Sequence, residues 1–265
     1  MKVPHVESLV YRAESAKDII YNDPVPLEID KDKWKGCLEN GILTCRMKMH
    51  YASVSDVRRE IESYLRAWEV NTNLKQGKGS IKFVYQDANL IDLAPQETGC
   101  RVVEAGGVIS GIGTMTARGQ IIRKNYPPPP ENFTVSPDVE TLLGRYEGYL
   151  AGKEPLPAMA YFCLTTVERI YGGQREKREK PRKAAARIIK VDLEVLNTLG
   201  ELASERGDQT TARKFLRQPS PLTGTERTWV ESVIRGLIYR VGEYSGCSDK
   251  STLAQITMAD FPSLE

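Results

Sequence analysis

The sequence predicts an α+β protein built in two parts: a mostly antiparallel sheet with one long helix, followed by an antiparallel helical bundle. Four consecutive prolines, Pro127 to Pro130, interrupt the chain. Neither a strand nor a helix runs through residues that fix φ and lack a backbone N–H. Ahead of the prolines, hydrophobic residues recur mainly with period two; behind them, they recur at spacings of three and four. Residues 1–126 are therefore assigned to a sheet domain, 127–134 to a proline-rich linker and 135–265 to a helical bundle.

In the first part, Val6 to Arg12 reads as an opening strand, and the stretch from Asn22 to Asn40 reads as a loop rich in Asp, Pro and Gly. That loop ends at Asn40-Gly41, a strong turn signal. From Leu43 to Tyr51 the pattern alternates: Leu43, Cys45, Met47, Met49 and Tyr51 share one face, and Thr44, Arg46, Lys48 and His50 the other. Val57, Ile61, Tyr64, Leu65 and Trp68 then switch to helical spacing, predicting a helix over 54–73 with Ser53 or Ser55 as its cap. Ile81, Phe83 and Tyr85 resume the strand period. Further strands are expected near Val102, over 108–117 and over 120–126, with a turn at Arg118-Gly119. Gly106-Gly107 and Gly111-Ile112-Gly113 lack the strand-turn-helix context of a phosphate loop, with Thr116 where such a motif would need to continue. They are read as strand glycines, and Met47 and Met49 beside Cys45 as core packing.

In the second part, Ser136-Pro137-Asp138 combines an N-cap, a first-turn proline and a first-turn acid. Leu142, Leu143, Tyr146, Tyr149 and Leu150 give that helix its apolar face, and Gly152 ends it. A second, largely apolar helix starts near Pro155 or Pro157 and stops at Gly172-Gly173. A third is expected over 183–206, a short one over 211–217, and a last over 226–244 with Val230, Val233, Ile234, Leu237, Ile238 and Val241 inward. Glu231 and Arg235, four residues apart, are placed to pair on its outer face.

The formal net charge of the 265-residue chain is only +2, so no global field gathers a polyanion and any such role needs a local patch. Five scattered cysteines without a C-x-x-C pair argue against a disulfide framework and a cysteine-rich zinc site. They fit a reducing compartment. Charges at Glu7 and Arg12 break any signal-peptide core, and no apolar stretch is long enough to span a bilayer. The expectation is a soluble cytoplasmic protein with no membrane partner.

The inventory for catalysis is sparse. His5 and His50 are the two histidines, and neither belongs to a nucleophile, zincin or paired-ligand motif. No catalytic residue, metal ligand or cofactor is assigned. The strongest binding feature is the basic run Arg175, Lys177, Arg178, Lys180, Arg182 and Lys183, continued by Arg187, at the start of the third helix. Cations at the positive end of a helix dipole are unfavourable, and a bound phosphate would relieve them. Glu176 and Glu179 dilute the run, and no aromatic interleaves it for base stacking.

The passages from Arg145-Tyr146-Glu147-Gly148-Tyr149-Leu150 through Glu154-Pro155-Leu156-Pro157-Ala158-Met159-Ala160-Tyr161-Phe162-Cys163-Leu164 resemble uncharacterised bacterial proteins, some under the methylamine-utilisation MauJ label. The likeness extends to the helix with Arg213 and to Ile256-Thr257-Met258-Ala259-Asp260, and implies no activity. The bundle also loosely resembles HEPN domains, whose ribonuclease motif pairs an Arg with a His a few residues later. The last helix has Arg235 and Arg240 but no histidine, so the resemblance implies binding or scaffolding rather than RNA cleavage. The first expectation is thus a non-enzymatic interaction protein that contacts a protein partner or its own copy through an exposed face carrying Arg235 and Arg240. The alternative is an RNA- or polyanion-binding, catalytically degenerate component of a stress or antiviral system. A third is a metal-dependent enzyme using first-half acids such as Asp87, Asp92 and Glu104.

Overall fold

The computed structural model describes residues 3–94, 120–173, 180–206 and 220–264. The chain is α+β and divides into two compact units, Met1–Pro129 and Pro130–Glu265.

The first unit is a five-stranded sheet of order β3-β4-β5-β1-β6, antiparallel throughout, built from β1 (Pro4–Glu14), β3 (Leu27–Asp30), β4 (Trp34–Glu39), β5 (Ile42–Met47) and β6 (Lys82–Asp92). A separate parallel pair joins β2 (Ile19–Val25) to β7 (Ile121–Asn125). Asn40 and Gly41 both have positive φ, 50° and 76°, which is the two-residue hairpin turn that joins β4 to β5. The expected loop over 22–40 is corrected: it contains most of β2 and all of β3 and β4. Trp34, Gly36 and Leu38 are buried while Lys35 and Glu39 face out, so the period of two is present. Gly36 and Cys37 interrupt it as a hydrophobic signal.

Helix α1 (Val54–Gln76) lays Val57, Ile61, Leu65 and Trp68 on the sheet face formed by Leu9, Tyr11, Leu38, Leu43 and Cys45. Ser53 occupies the cap position but its hydroxyl pairs with that of Ser55 instead of the helix backbone. The strand expected to reach Tyr51 stops at Met47, and Met49 is exposed rather than core. The strands expected near Val102 and over 108–117, the turn at Arg118-Gly119 and the glycines between 106 and 113 lie outside the described residues.

The second unit contains α2 (Pro137–Leu150), α3 (Leu156–Gly172), α4 (Pro181–Ile189), α5 (Leu193–Glu205) and α6 (Gly224–Gly246). Ser136 accepts from the Val139 N–H at 3.3 Å, and Thr223 and Glu226 form a reciprocal capping box on α6. The helix expected over 183–206 is two. The chain breaks at Lys190, whose φ is 52°, because the segment after α6 docks there. Ile256 N–H donates to Lys190 O and Asp192 N–H donates to Ile256 O, forming a parallel bridge between Val191 and Ile256. The Lys190 ammonium donates to the carbonyls of Ser251 and Leu253 at 2.6 and 3.0 Å. A helical hydrogen-bond ladder cannot continue through a residue whose carbonyl is taken by another segment. The short helix expected over 211–217 lies outside the described residues. Among the described residues no helix is long and apolar enough to cross a membrane.

Candidate functional site

An open cleft of about 420 Å³ lies where α1 crosses β1 and the edge strand β6. Helical spacing lines up Arg58, Glu62, Leu65, Arg66 and Glu69 as one stripe, beside the core stripe of Ile61, Leu65 and Trp68. Facing them are Tyr11 of β1 and Lys82, Phe83, Val84 and Tyr85 of β6. Three cations therefore meet two carboxylates over an aromatic floor.

Tyr11 is 1% exposed, and its hydroxyl has no hydrogen-bond partner among the described residues. Its ring packs edge-on against Tyr85 at 5.7 Å. Burial, then the charge of Glu62, pushes its phenol well above the usual range, with Arg58 opposing. The Arg58 guanidinium sits 4.1 Å above the Tyr85 ring and pairs with Glu62 at 2.7 Å. Both side chains of that pair are about two-fifths exposed, so exchanging Glu62 for another anion on Arg58 costs little; exposed pairs contribute about 0–1 kcal/mol.

Glu69 is the most enclosed acid of the cleft, with its side chain 13% exposed. One carboxylate oxygen accepts from the Phe83 N–H at 2.6 Å, and the other lies 3.7 Å from Arg66. The Phe83 bond occupies a backbone donor on the side of β6 that no described strand pairs, a position that would otherwise invite a further strand. Burial raises the Glu69 carboxyl, and the Phe83 N–H, Arg66 and Lys82 only partly offset it.

A second depression of about 530 Å³ lies on the face of β3, β4 and β5 away from α1. Within it Glu28 pairs with Lys35 at 3.1 Å and accepts from the Cys37 thiol, which burial first and that bond second hold above the usual thiol range. Cys45 and Cys163 are buried and each pushed up to about 12, so neither is a poised nucleophile. The two histidines, far apart in sequence, stack at 5.3 Å, and His5 Nδ1 accepts from the Tyr51 N–H. Among the described residues no group of three His, Cys, Asp or Glu side chains is placed to hold a metal ion.

The structure redistributes the residues singled out from the sequence. Arg175, Lys177 and Arg178 lie outside the described residues. Lys180, Lys183 and Arg187 are exposed along α4. Arg182 is drawn away from them: its Nε donates to Glu168 at 2.5 Å and its Nη1 to Asn197 at 3.3 Å, pinning α4 to α3 and α5.

The expected exposed face at Arg235 and Arg240 is corrected. Arg240 is 4% exposed, donates to Ile189 O at 3.4 Å and lies 3.3 Å from Glu243. Desolvation lowers its guanidinium below the usual range. Arg235 is half-buried with its Nε unpartnered, and Glu231 accepts from the Tyr149 hydroxyl instead of pairing with Arg235. The reason is that α6 packs against α2, α3, α4 and α5, while Phe261 from the tail lies over Trp229 on the same helix. A buried ion pair gives little net stability, and stranding its enclosed member is the costly change: Glu243, with its side chain 24% exposed, reaches water, whereas Arg240 at 5% does not. Arg240→Met should therefore stay within about 1 kcal/mol of the parent, while Glu243→Ala should lose about 2 kcal/mol, as read by urea unfolding. The reverse order would show that Arg240 is not enclosed.

Comparison with protein-family models, with curated proteins and with solved structures finds no match for this chain. The likenesses to MauJ-labelled proteins and to HEPN domains thus rest on the sequence passages alone.

No single segment announces the cleft. Tyr11, the 58–69 stripe and 82–85 meet only through the register of β1 with β6 and the packing of α1. The one signal available was the alternation of Arg58, Glu62, Arg66 and Glu69 at helical spacing beside an apolar face, which reads equally well as a solvated surface.

Proposed function

We propose that this protein is a binding module rather than a catalyst, and that its first unit holds a small organic anion with a flat or apolar body in the cleft between α1 and β6. The observation that carries this reading is Tyr11: a buried hydroxyl with no hydrogen-bond partner among the described residues, in a cleft lined by Arg58, Arg66 and Lys82 as well as Glu62 and Glu69. A buried unpaired hydroxyl costs about 1–3 kcal/mol, so a fold tolerates one where a ligand oxygen meets it. The anion takes the place of Glu62 on Arg58, receives the Tyr11 hydroxyl, and lays its body along Leu65, Phe83 and Tyr85. Arg58, already held over the Tyr85 ring, is preorganised to grip a carboxylate or phosphate with two N–H donors.

Titration calorimetry with benzoate and with phenyl phosphate tests this. At least one should bind, and Arg58→Gln should weaken it by about tenfold or more. Tyr11→Phe should weaken binding severalfold while raising thermal stability, since it removes an unpaired buried hydroxyl; a purely structural tyrosine would not move the two readouts in opposite directions. Failure of both probes to bind, or unaltered binding in the two variants, would overturn the reading.

A further inference from the structure

We infer that occupation of this cleft by an anion is coupled to uptake of one proton by Glu69. The inference rests on the binding reading above and concerns its regulation. Glu69 lies at the enclosed end of the stripe, one turn beyond Leu65, with a single backbone donor on one oxygen and Arg66 beside the other. The charged and titratable groups lining the cleft with it are Arg58, Glu62 and Arg66 from α1, Lys82 and Tyr85 from β6, and Tyr11 from β1. Arg66 and Lys82 are the cations that hold Glu69 ionised, against the burial that already favours its neutral form.

An arriving anion claims those same cations. It adds a negative charge in a partly desolvated site and removes compensation from Glu69, so the neutral acid becomes the favoured partner. The protonated carboxyl also gains an O–H that can donate to the ligand, while its carbonyl oxygen keeps the Phe83 N–H. The proton comes from solvent and returns there on release. The sign follows directly. The carboxyl is raised further in the bound state than in the free state. Affinity is therefore highest below the free-state value, falls as pH rises between the two, and levels off above the bound-state value. Within that window the slope reaches about tenfold in Kd per pH unit, one proton. Glu62, about two-fifths exposed, is displaced toward water as the anion enters.

The test uses the full chain and benzoate, which remains fully ionised from about pH 5.5 to about pH 8.5. Calorimetry in two buffers of different ionisation enthalpy gives the proton count directly. The expected result is net uptake approaching one proton for the parent and for Glu62→Gln, and none for Glu69→Gln. Glu69→Gln should also hold near the top of the pH window the affinity that the parent reaches only at its bottom, because a glutamine keeps the Phe83 contact and supplies a permanent donor. Benzoate binding with no proton uptake, or uptake that survives in Glu69→Gln, would overturn the inference and leave the binding reading standing. Absence of binding by benzoate and by phenyl phosphate across the whole range, in the parent and in Glu69→Gln alike, would overturn both.

Discussion

Gly242→Ala is expected to destabilise the helical unit by about 2–3 kcal/mol, although alanine is the better helix former by about 1 kcal/mol. Gly242 lies inside α6 and is buried. A Cβ built on it would fall 2.1 Å from Phe133 Cε2 and 2.5 Å from Cζ, distances that no side-chain carbon accepts. The Phe133 ring, 7% exposed and stacked on Tyr239 at 5.6 Å, would have to leave its seat. Moving it loses burial of an aromatic side chain, about 1.5–3 kcal/mol when complete, and strains the adjoining bond from Thr134 N–H to Gly242 O. That bond leads directly into the Ser136 cap of α2, so the damage reaches a second helix. Urea unfolding of Gly242→Ala, Phe133→Ala and the double variant checks the account. The double should be no less stable than Phe133→Ala alone, because removing the ring makes room for the methyl. A stabilised Gly242→Ala protein, as helix propensity by itself demands, would show that Phe133 does not rest on this helix.

Phe133 illustrates what could and could not be read from the sequence. Features confined to a few neighbouring residues were legible: the Asn40-Gly41 turn, the alternation of Leu43 and Cys45, the helical spacing of Val57, Ile61 and Trp68, and the Ser136-Pro137 cap. Each depends on local backbone preference and on a single buried face, and both are set by nearest neighbours. Features decided by a distant segment were hidden. The third helix splits because residues 251–256 claim the backbone and side chain of Lys190. Arg240 is enclosed because a helix carrying apolar residues on several sides is packed on several sides, which spacing alone does not reveal. Phe133 sits in a stretch that reads as linker, yet its ring fits a gap that only a glycine on another helix provides.

The candidate site belongs to the hidden class. Its cations do not form a run along the chain. They come as Arg58, Arg66 and Lys82, two from a helix and one from a strand, with Arg58 set against Glu62 and the Tyr85 ring and Arg66 beside Glu69. The run that does exist, around Lys180 to Arg187, has lost Arg182 to a structural clamp with Glu168. Local density of charge was therefore a weaker guide than desolvation. The groups that matter in the cleft are those the fold encloses, Tyr11 and Glu69, and enclosure is a property of tertiary packing.

Trp68→Ala is expected to cost about 3–5 kcal/mol and to abolish the cleft together with the fold that shapes it. Trp68 is fully buried, packs on Phe83 at 4.8 Å and on Tyr64 at 6.4 Å, and donates its indole N–H to Pro127 O at 3.0 Å. It joins three elements at once: α1, the start of β6, and the chain that returns from β7 through Tyr126. Tyr126 in turn is buried, its hydroxyl accepting from the Gly41 N–H at 2.7 Å at the β4–β5 turn. Removing the indole leaves a large cavity and an unpaired carbonyl, and the surrounding β-strands cannot collapse into it without shifting register. Trp68→Phe separates the two contributions: it keeps most of the ring volume and should lose about 1–3 kcal/mol, chiefly from the stranded Pro127 carbonyl and the smaller ring. Because Phe83 leans on Trp68 and also donates its N–H to Glu69, the Phe variant should still fold but loosen the β6 edge. Amide exchange at Phe83 is the measurement: faster in Trp68→Phe than in the parent at equal distance from the unfolding midpoint. Unchanged protection there would mean that the indole supports the core without holding the wall of the cleft.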